Sequence, residues 1–283
     1  MPLILDGRSV AATLREELRA GVREFQQQYS SPPRLDVVQV HGDAASDWYV
    51  RAISRACQHV GITFQLAQLP ADIEQDALIA QIQQLNARPE THGIIVQVPL
   101  PQHLDGAAVI DALDPRKDVD GLHPVNLGRL AQGLPALVPN TPAGGMELLR
   151  HYNISLAGKH AVVVGRSNIV GKPMALLLLQ EHATVTVAHS RTPNLAAIVG
   201  SADVVAVAVG RAGIVTGAML KPGAVVVDFG INEMGAGQVV GDVDYGSAAE
   251  VAGAITPVPG GTGPVTNMML LRNVLHAARA QQL

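Results

Sequence analysis

The chain alternates short apolar runs with longer stretches in which apolar residues recur every three or four positions. Val10, Leu14, Leu18, Val22 and Phe25 keep a helical period within residues 10–29. Leu35 to Val40 reads as a strand, and Ser46 to Val60 as a helix with Tyr49, Ile53, Cys57 and Val60 on one face. A strand is expected over Ile62 to Leu69, a helix over Asp76 to Asn86, and a strand buried on both faces over Gly93 to Val98. Residues 99–142 are irregular and rich in Pro and Gly, with room only for short helices. Beyond them, His160 to Val164, Thr184 to Ala188, Val204 to Val209 and Ala224 to Val227 form four more strand candidates, and a last helix is expected over Val265 to Ala280. Strands spaced by helices predict an α/β fold with parallel sheets, and the second set reads as a doubly wound, Rossmann-like domain. The domain boundary is expected at residues 139–141, giving domains 1–139 and 140–266, with the helix of 267–283 returning to the first.

Composition narrows the function classes. Hydrophobic residues make up 48% and charged residues 16% of 283, enough for two packed cores and too little charge for disorder. A net charge of -4, from 20 Lys+Arg against 24 Asp+Glu, offers no electrostatic footprint for nucleic acid or an anionic membrane. The single cysteine, Cys57, excludes an internal disulfide and a cysteine-based zinc cage. The first residues lack the cationic start and apolar length of a signal peptide, and no apolar run approaches membrane-spanning length. A cytoplasmic protein is expected, with no metal, no nucleic-acid partner and no membrane partner.

The strongest local signal is the strand-turn-helix Ala161-Val162-Val163-Val164-Gly165-Arg166-Ser167-Asn168-Ile169-Val170-Gly171-Lys172-Pro173, with the helix expected to begin near Ile169. Gly165 permits a sharp turn, Gly171 permits close packing of helix on strand, and the helix N-terminus presents free N–H groups to a pyrophosphate. Ser167 stands where the dinucleotide fingerprint has its middle glycine, so the turn alone is equally consistent with a purely structural role. The end of the next strand, Val187-Ala188-His189-Ser190-Arg191, carries no acid for ribose hydroxyls. Ser190, Arg191 and Arg166 suit a 2′-phosphate instead, which favours NADP over NAD; the alternative is that they merely end an exposed strand. Asp228-Phe229-Gly230-Ile231-Asn232 and Thr256 to Pro264 add two Gly- or Pro-rich loops after predicted strands, at the sheet end where open α/β folds bind ligands.

Four segments, in order and nearly end to end, carry a family resemblance: Gly93 to Pro101, Lys117 to Pro124, Gly165 to Pro173, and Pro257 to Thr266. With them the chain resembles the methylenetetrahydrofolate dehydrogenase/methenyltetrahydrofolate cyclohydrolase family. The resemblance implies two domains around a cleft, a folate site mainly on the first, NADP on the second, and a homodimer. It implies NADP-linked oxidation of methylenetetrahydrofolate to the methenyl form, then hydrolysis to formyltetrahydrofolate, in one-carbon metabolism. By the same resemblance Tyr49 packs on the folate ring, Gln97 lies beside the one-carbon unit, and Asp120 accepts hydrogen bonds from the pterin edge, so these three are the catalytic candidates. Leu100, Pro259 and Gly260 join them as substrate contacts, and Gly165, Arg166, Ser167, Ser190 and Ile231 match the NADP-contacting positions.

One position departs from the family. Its catalytic helix carries Ser-x-x-Tyr-x-x-x-Lys; Ser46 and Tyr49 are present, but Ile53 holds the lysine position, and the proline expected before the helix is absent from Gly42-Asp43-Ala44-Ala45-Ser46. Arg51 and Arg55 lie about 200° around the helix from Ile53, and guanidinium does not shuttle protons near neutral pH. Hydride transfer from the methylene group moves no heteroatom proton, whereas hydrolysis needs water activated and protons moved. The expectation is therefore a working dehydrogenase and a poor cyclohydrolase. The alternatives are an ordinary bifunctional enzyme with the lysine's task displaced elsewhere, and a non-catalytic or altered-substrate folate/NADP-binding paralogue. Taken without the family, Tyr49, Ile53, Cys57 and Val60 read as a core stripe. Asp120 reads as a turn former and His123 as a loop histidine, and Asp118-Val119-Asp120 lacks the later ligands of a calcium loop.

Overall fold

The structure is a computed structural model; it describes residues 1–41, 44–235 and 237–282, with only the backbone of 44–46. The chain begins with β1 (Leu3–Ile4), α1 (Gly7–Tyr29), β2 (Arg34–Val40), α2 (Ala44–Val60), β3 (Thr63–Leu69), α3 (Gln75–Ala87), β4 (Gly93–Val96), α4 (Gly106–Asp111) and α5 (Pro124–Ala131). It continues with α6 (Asn140–His151), β5 (His160–Val164), α7 (Gly171–Gln180), β6 (Thr184–Ala188), α8 (Leu195–Gly200), β7 (Val204–Val207) and β8 (Val225–Asp228). Last come β9 (Asn232–Glu233), β10 (Val239–Val240), α9 (Tyr245–Ala249), β11 (Ala254–Ile255) and α10 (Thr262–Ala280).

Contacts divide the chain into two compact units, one of residues 1–12 and 139–266, the other of 13–138 and 267–283. The first twelve residues therefore cluster with the later unit and not with the 13–138 segment that follows them. The cause is pairing: Leu3 and Ile4 lie parallel to Ala254 and Ile255, so β1 is laid on β11.

The unit of 13–138 and 267–283 is built on a parallel sheet in the order β3-β2-β4. Central β2 is buried along almost its whole length, which is why Leu35, Val37, Val38 and Val40 form a nearly continuous apolar run. One face packs Val38, Val40, Ile94 and Val96 against Leu78, Ile82 and Leu85 of α3 and Val109 of α4. Asp105 caps α4 by accepting from the N–H groups of Ala107 and Ala108 at 2.9 and 3.3 Å. Asn273 of α10 donates to the carbonyls of Val119 and Val138 at 3.0 and 2.9 Å.

The other unit carries a six-stranded parallel sheet in the order β1-β11-β8-β7-β5-β6. Alternate residues of its valine-rich strands go to opposite faces. Val162, Val164, Val205 and Val207 pack with Val199, Val215 and Ala248, while Ala161, Val163, Val204 and Ala206 pack with Leu149, Met174 and Leu178. Strand β5 has β6 on one side and β7 on the other, so the chain leaves it toward one side and then crosses to the other. That reversal opens a crevice at the carboxyl ends of the strands, the ligand position of doubly wound sheets. No described helix is long and apolar enough to cross a membrane.

Candidate functional site

In the unit of the three-stranded sheet, α2 brings Tyr49 to a half-buried position and sends Val50, Ile53, Cys57 and Val60 into the core at 4, 0, 0 and 2% exposure. Burial pushes the Cys57 thiol up to about 12, so it is no nucleophile at neutral pH. Burial first, and the negative charge of Asp120 second, push the Tyr49 phenol well above its ordinary value. Tyr49 and Asp120 are thus near neighbours, and the phenol stays protonated as a hydrogen-bond donor. The side chain of Ser46, and all of Gly42 and Asp43, lie outside the described residues.

Gln97 follows the end of β4, and its N–H still donates to Val38 O at 2.8 Å, one step past the Val38–Val96 register pair. Its side chain donates to Val98 O at 3.0 Å, just before the cis peptide Val98–Pro99; Leu100 is half-buried against the core under α4. Gln39 and Gln68 pair in the β2–β3 register, so Gln97 extends a row of three glutamines at the carboxyl ends of the sheet. Buried Gln39 donates to Asp47 Oδ1 of α2 at 2.7 Å and accepts from Gln68 at 3.4 Å. Sequence reading passed over Gln39, although a glutamine inside a valine run must find partners.

The loop that carries Asp120 is held on both sides. Lys117 turns inward and donates to the carbonyls of Asn86 and Arg88, at 2.8 and 2.7 Å, closing the end of α3; burial lowers its pKa. Asp118 accepts from His123 N and from Asn126 Nδ2 at 2.8 and 2.9 Å. Burial raises its pKa against those bonds. His123 Nδ1 in turn accepts from Val125 N at 3.1 Å and caps α5, which leaves it a structural residue. Asp120, two residues beyond Asp118, is the charge that Tyr49 feels. Among the described residues no three of His, Cys, Asp and Glu converge on a metal position.

In the other unit, Gly165 ends β5 at φ +132°, and a side chain there would strike the carbonyl of Ala208 beyond β7. A side chain on Gly171 would likewise strike the carbonyl of Gly165, so α7 rests directly on the turn. The helix begins at Gly171, two residues later than expected, because 168–170 form a turn first. Ser167 holds that turn: its Oγ accepts from Val170 N and Gly171 N at 3.1 and 3.2 Å, three residues ahead of the N-cap Val170. Its hydroxyl hydrogen is still available to an acceptor. Arg166, Ser190 and Arg191 are exposed on the neighbouring turns, and Ile231 after β8 is 71% exposed. Gly260, at φ +111°, follows the cis peptide Val258–Pro259, accepts from Gly7 N at 2.9 Å, and lies against the Arg8 guanidinium. The donor set of Arg166, Ser190 and Arg191, with no carboxylate at the end of β6, fits a phosphorylated dinucleotide.

Two buried aspartates hold these loops: Asp228, which the sequence marks only as the start of a loop, and Asp242, which it does not single out. Asp228 accepts from the N–H groups of Gly230, Asp242 and Val243 at 2.8, 3.0 and 2.9 Å, yet burial still pushes its carboxyl up to about 6. Asp242, at 0% exposure, accepts four further hydrogen bonds.

The model of the tetrahydrofolate dehydrogenase/cyclohydrolase catalytic domain matches residues 5–120, and that of the family's NAD(P)-binding domain matches 139–282. A "Bifunctional protein FolD" of Herpetosiphon aurantiacus is 63% identical over 98% of this chain and 97% of its own length. The crystal structure of the bifunctional enzyme FolD, methylenetetrahydrofolate dehydrogenase/cyclohydrolase, from Campylobacter jejuni superposes with a TM-score of 0.98 at 40% identity, over 100% of both chains. The Trypanosoma brucei methylenetetrahydrofolate dehydrogenase-cyclohydrolase, solved with NADP cofactor and inhibitor, gives a TM-score of 0.94 at 39% identity over 99% of this chain and 98% of that one.

Proposed function

The chain belongs to the tetrahydrofolate dehydrogenase/cyclohydrolase family, and on that premise we propose that it is an NADP-dependent methylenetetrahydrofolate dehydrogenase whose cyclohydrolase step is slow. The observation that carries the second half is Ile53. It is fully buried one helical turn from Tyr49, at the position for which the family resemblance implies a lysine.

In this reading Tyr49 stacks on the folate, and Asp120, acceptor-only, takes the N–H donors of the pterin edge. Gln97 orients the one-carbon unit beside Leu100, with Pro259 and Gly260 as further substrate contacts. Arg166 and Ser190 hold the 2′-phosphate with Arg191, while the Gly165 turn, Ser167 and Ile231 receive the rest of the dinucleotide. Bound NADP supplies the hydride acceptor. The bond that breaks is a C–H of the methylene bridge; its electron pair leaves as hydride, and the cation left behind is delocalised over two folate nitrogens. No heteroatom proton moves, so positioning suffices. Hydrolysis of that cation requires water to lose a proton and a folate nitrogen to gain one. A Lys whose pKa is lowered by burial can make such transfers, and an isoleucine has no proton to give. A homodimer working in the cytoplasm completes the proposal.

The test is a side-by-side assay of one preparation. NADPH should form from methylenetetrahydrofolate at an enzymatic rate, while added protein barely accelerates the decay of methenyltetrahydrofolate. Methenyl decay as fast as NADPH formation would refute the slow second step.

A further inference from the structure

Beneath the exposed loops of the six-stranded unit lies an anchor that the proposed chemistry does not name. Asp242 Oδ2 accepts from the N–H groups of Val209 and Gly210 at 2.6 and 2.9 Å, and Oδ1 from Arg211 N and Asn232 Nδ2 at 2.8 and 2.9 Å. Three of these donors are consecutive backbone groups of the loop after β7; the fourth is the side chain of Asn232, the first residue of β9, where the loop after β8 ends. An ionised carboxylate is the one side-chain group with acceptor sites for all four and no hydrogen to clash with them. Asp242 is itself held in place: Asp228, at the end of β8, accepts from the N–H groups of Asp242 and Val243. Gly230 lets the β8 loop close over it, because a side chain at Gly230 would collide with the Asp242 backbone and carboxylate.

The same two loops turn apolar side chains outward. Ile231 is 71% and Val209 40% exposed, while the N–H groups of Val209 and Gly210 and the side-chain amide of Asn232, next to Ile231, point in to Asp242. Ile231 is a cofactor contact in the reading above, so whatever fixes its loop bears on the cofactor. The β7 loop also adjoins the Gly165 turn, whose glycine packs on Ala208 O.

We propose that Asp242 is a positioning residue for the dinucleotide: by tying the β7 loop to the β8 loop from below, it sets the surface on which the nicotinamide half lies. The inference rests on the NADP reading above and adds a residue to it. Asp242 touches no ligand, so its effect is read through cofactor affinity.

The test uses the full chain with Asp242→Asn, which keeps shape but sets an N–H against at least one backbone N–H. One or two lost hydrogen bonds correspond to roughly a tenfold weakening or more. The dissociation constant and KM for NADP should rise about tenfold or more, with KM for methylenetetrahydrofolate within about twofold of wild type. Asn232→Ala, which releases only the β8 loop, should raise the NADP constant by a smaller factor in the same direction. A folded Asp242→Asn with unchanged NADP binding, or with both KM values raised alike, would overturn the proposal. If Asp242→Asn does not fold, unchanged NADP binding in Asn232→Ala overturns it instead. A wild-type chain that binds no NADP would overturn the underlying reading, and this inference with it.

Discussion

Replacing Ile53 with lysine puts the proposed division of activities to its most direct trial. Ile53 is 0% exposed, so its side chain contributes about 1.5–3 kcal/mol of burial. A lysine stem of similar length recovers part of that by packing along the same path, but its ammonium then sits at the edge of the core. A net loss of roughly 2–4 kcal/mol is expected, a fall in Tm of about 5–15 °C for a chain of this size. Burial disfavours the charged amine and lowers its pKa, which suits proton transfer near neutral pH. The Asp120 charge, already felt by Tyr49 one turn away, limits that lowering. Gaining such a group is worth about 10²–10⁴-fold in the hydrolytic step, or roughly 2.7–5.5 kcal/mol of barrier. The assay follows methenyltetrahydrofolate absorbance with and without protein, alongside NADPH formation and a melting curve, with Ile53→Met as the apolar control. A folded Ile53→Lys that keeps its dehydrogenase rate within about threefold yet hydrolyses no faster than Ile53→Met would refute the reasoning.

Three further outcomes are expected. Ser190→Asp should cut the preference for NADP over NAD, as the ratio of kcat/KM values, by about tenfold or more, since like charges 4 Å apart cost roughly 1 kcal/mol in water and 4 at an effective dielectric of 20; an unchanged ratio removes Ser190 from the phosphate site. Asp36→Ala should destabilise the chain by about 3 kcal/mol in urea melts without changing kcat, because it strips Arg34 of two 2.8 Å bonds and Thr91 of one at 2.9 Å in a nearly buried cluster. Asp228, raised to about 6 against an unfolded value near 3.9, favours the fold most when protonated, so its contribution is full below about pH 4 and lost as pH rises through 6. Wild type should therefore gain about 2 kcal/mol on Asp228→Asn between pH 7 and 4.5, and parallel urea-melt curves would argue against it.

The strands with continuous valine runs were legible because both faces of a parallel sheet are covered: the expected His160–Val164 and Thr184–Ala188 coincide with β5 and β6. Two-residue strands such as β1 and β11 carry no periodicity at all. Helix α6 is concealed differently. It contains Pro142, Gly144 and Gly145, all poor helix formers, and a side chain at Gly145 would collide with the Phe229 ring. Close approach there outweighs local propensity. At the candidate site, the Gly165 turn and the acid-free end of β6 show in sequence because they use local chemistry. Asp242 does not show, because what distinguishes it is the convergence of N–H groups some thirty residues away. The start of α7 at Gly171 does not show for a similar reason, since the Ser167 hydroxyl holds a turn ahead of the helix.

The pairing of Leu3 with Ala254 has a consequence for synthesis. A nascent chain makes the β1 edge of its larger sheet about 250 residues before the β11 strand that it pairs with leaves the ribosome. A recombinant fragment cut at residues 139–266 would omit that edge altogether and leave the flank of β11 bare, open to pairing with other molecules. Fusing residues 1–6 through a flexible linker to such a fragment should restore its solubility.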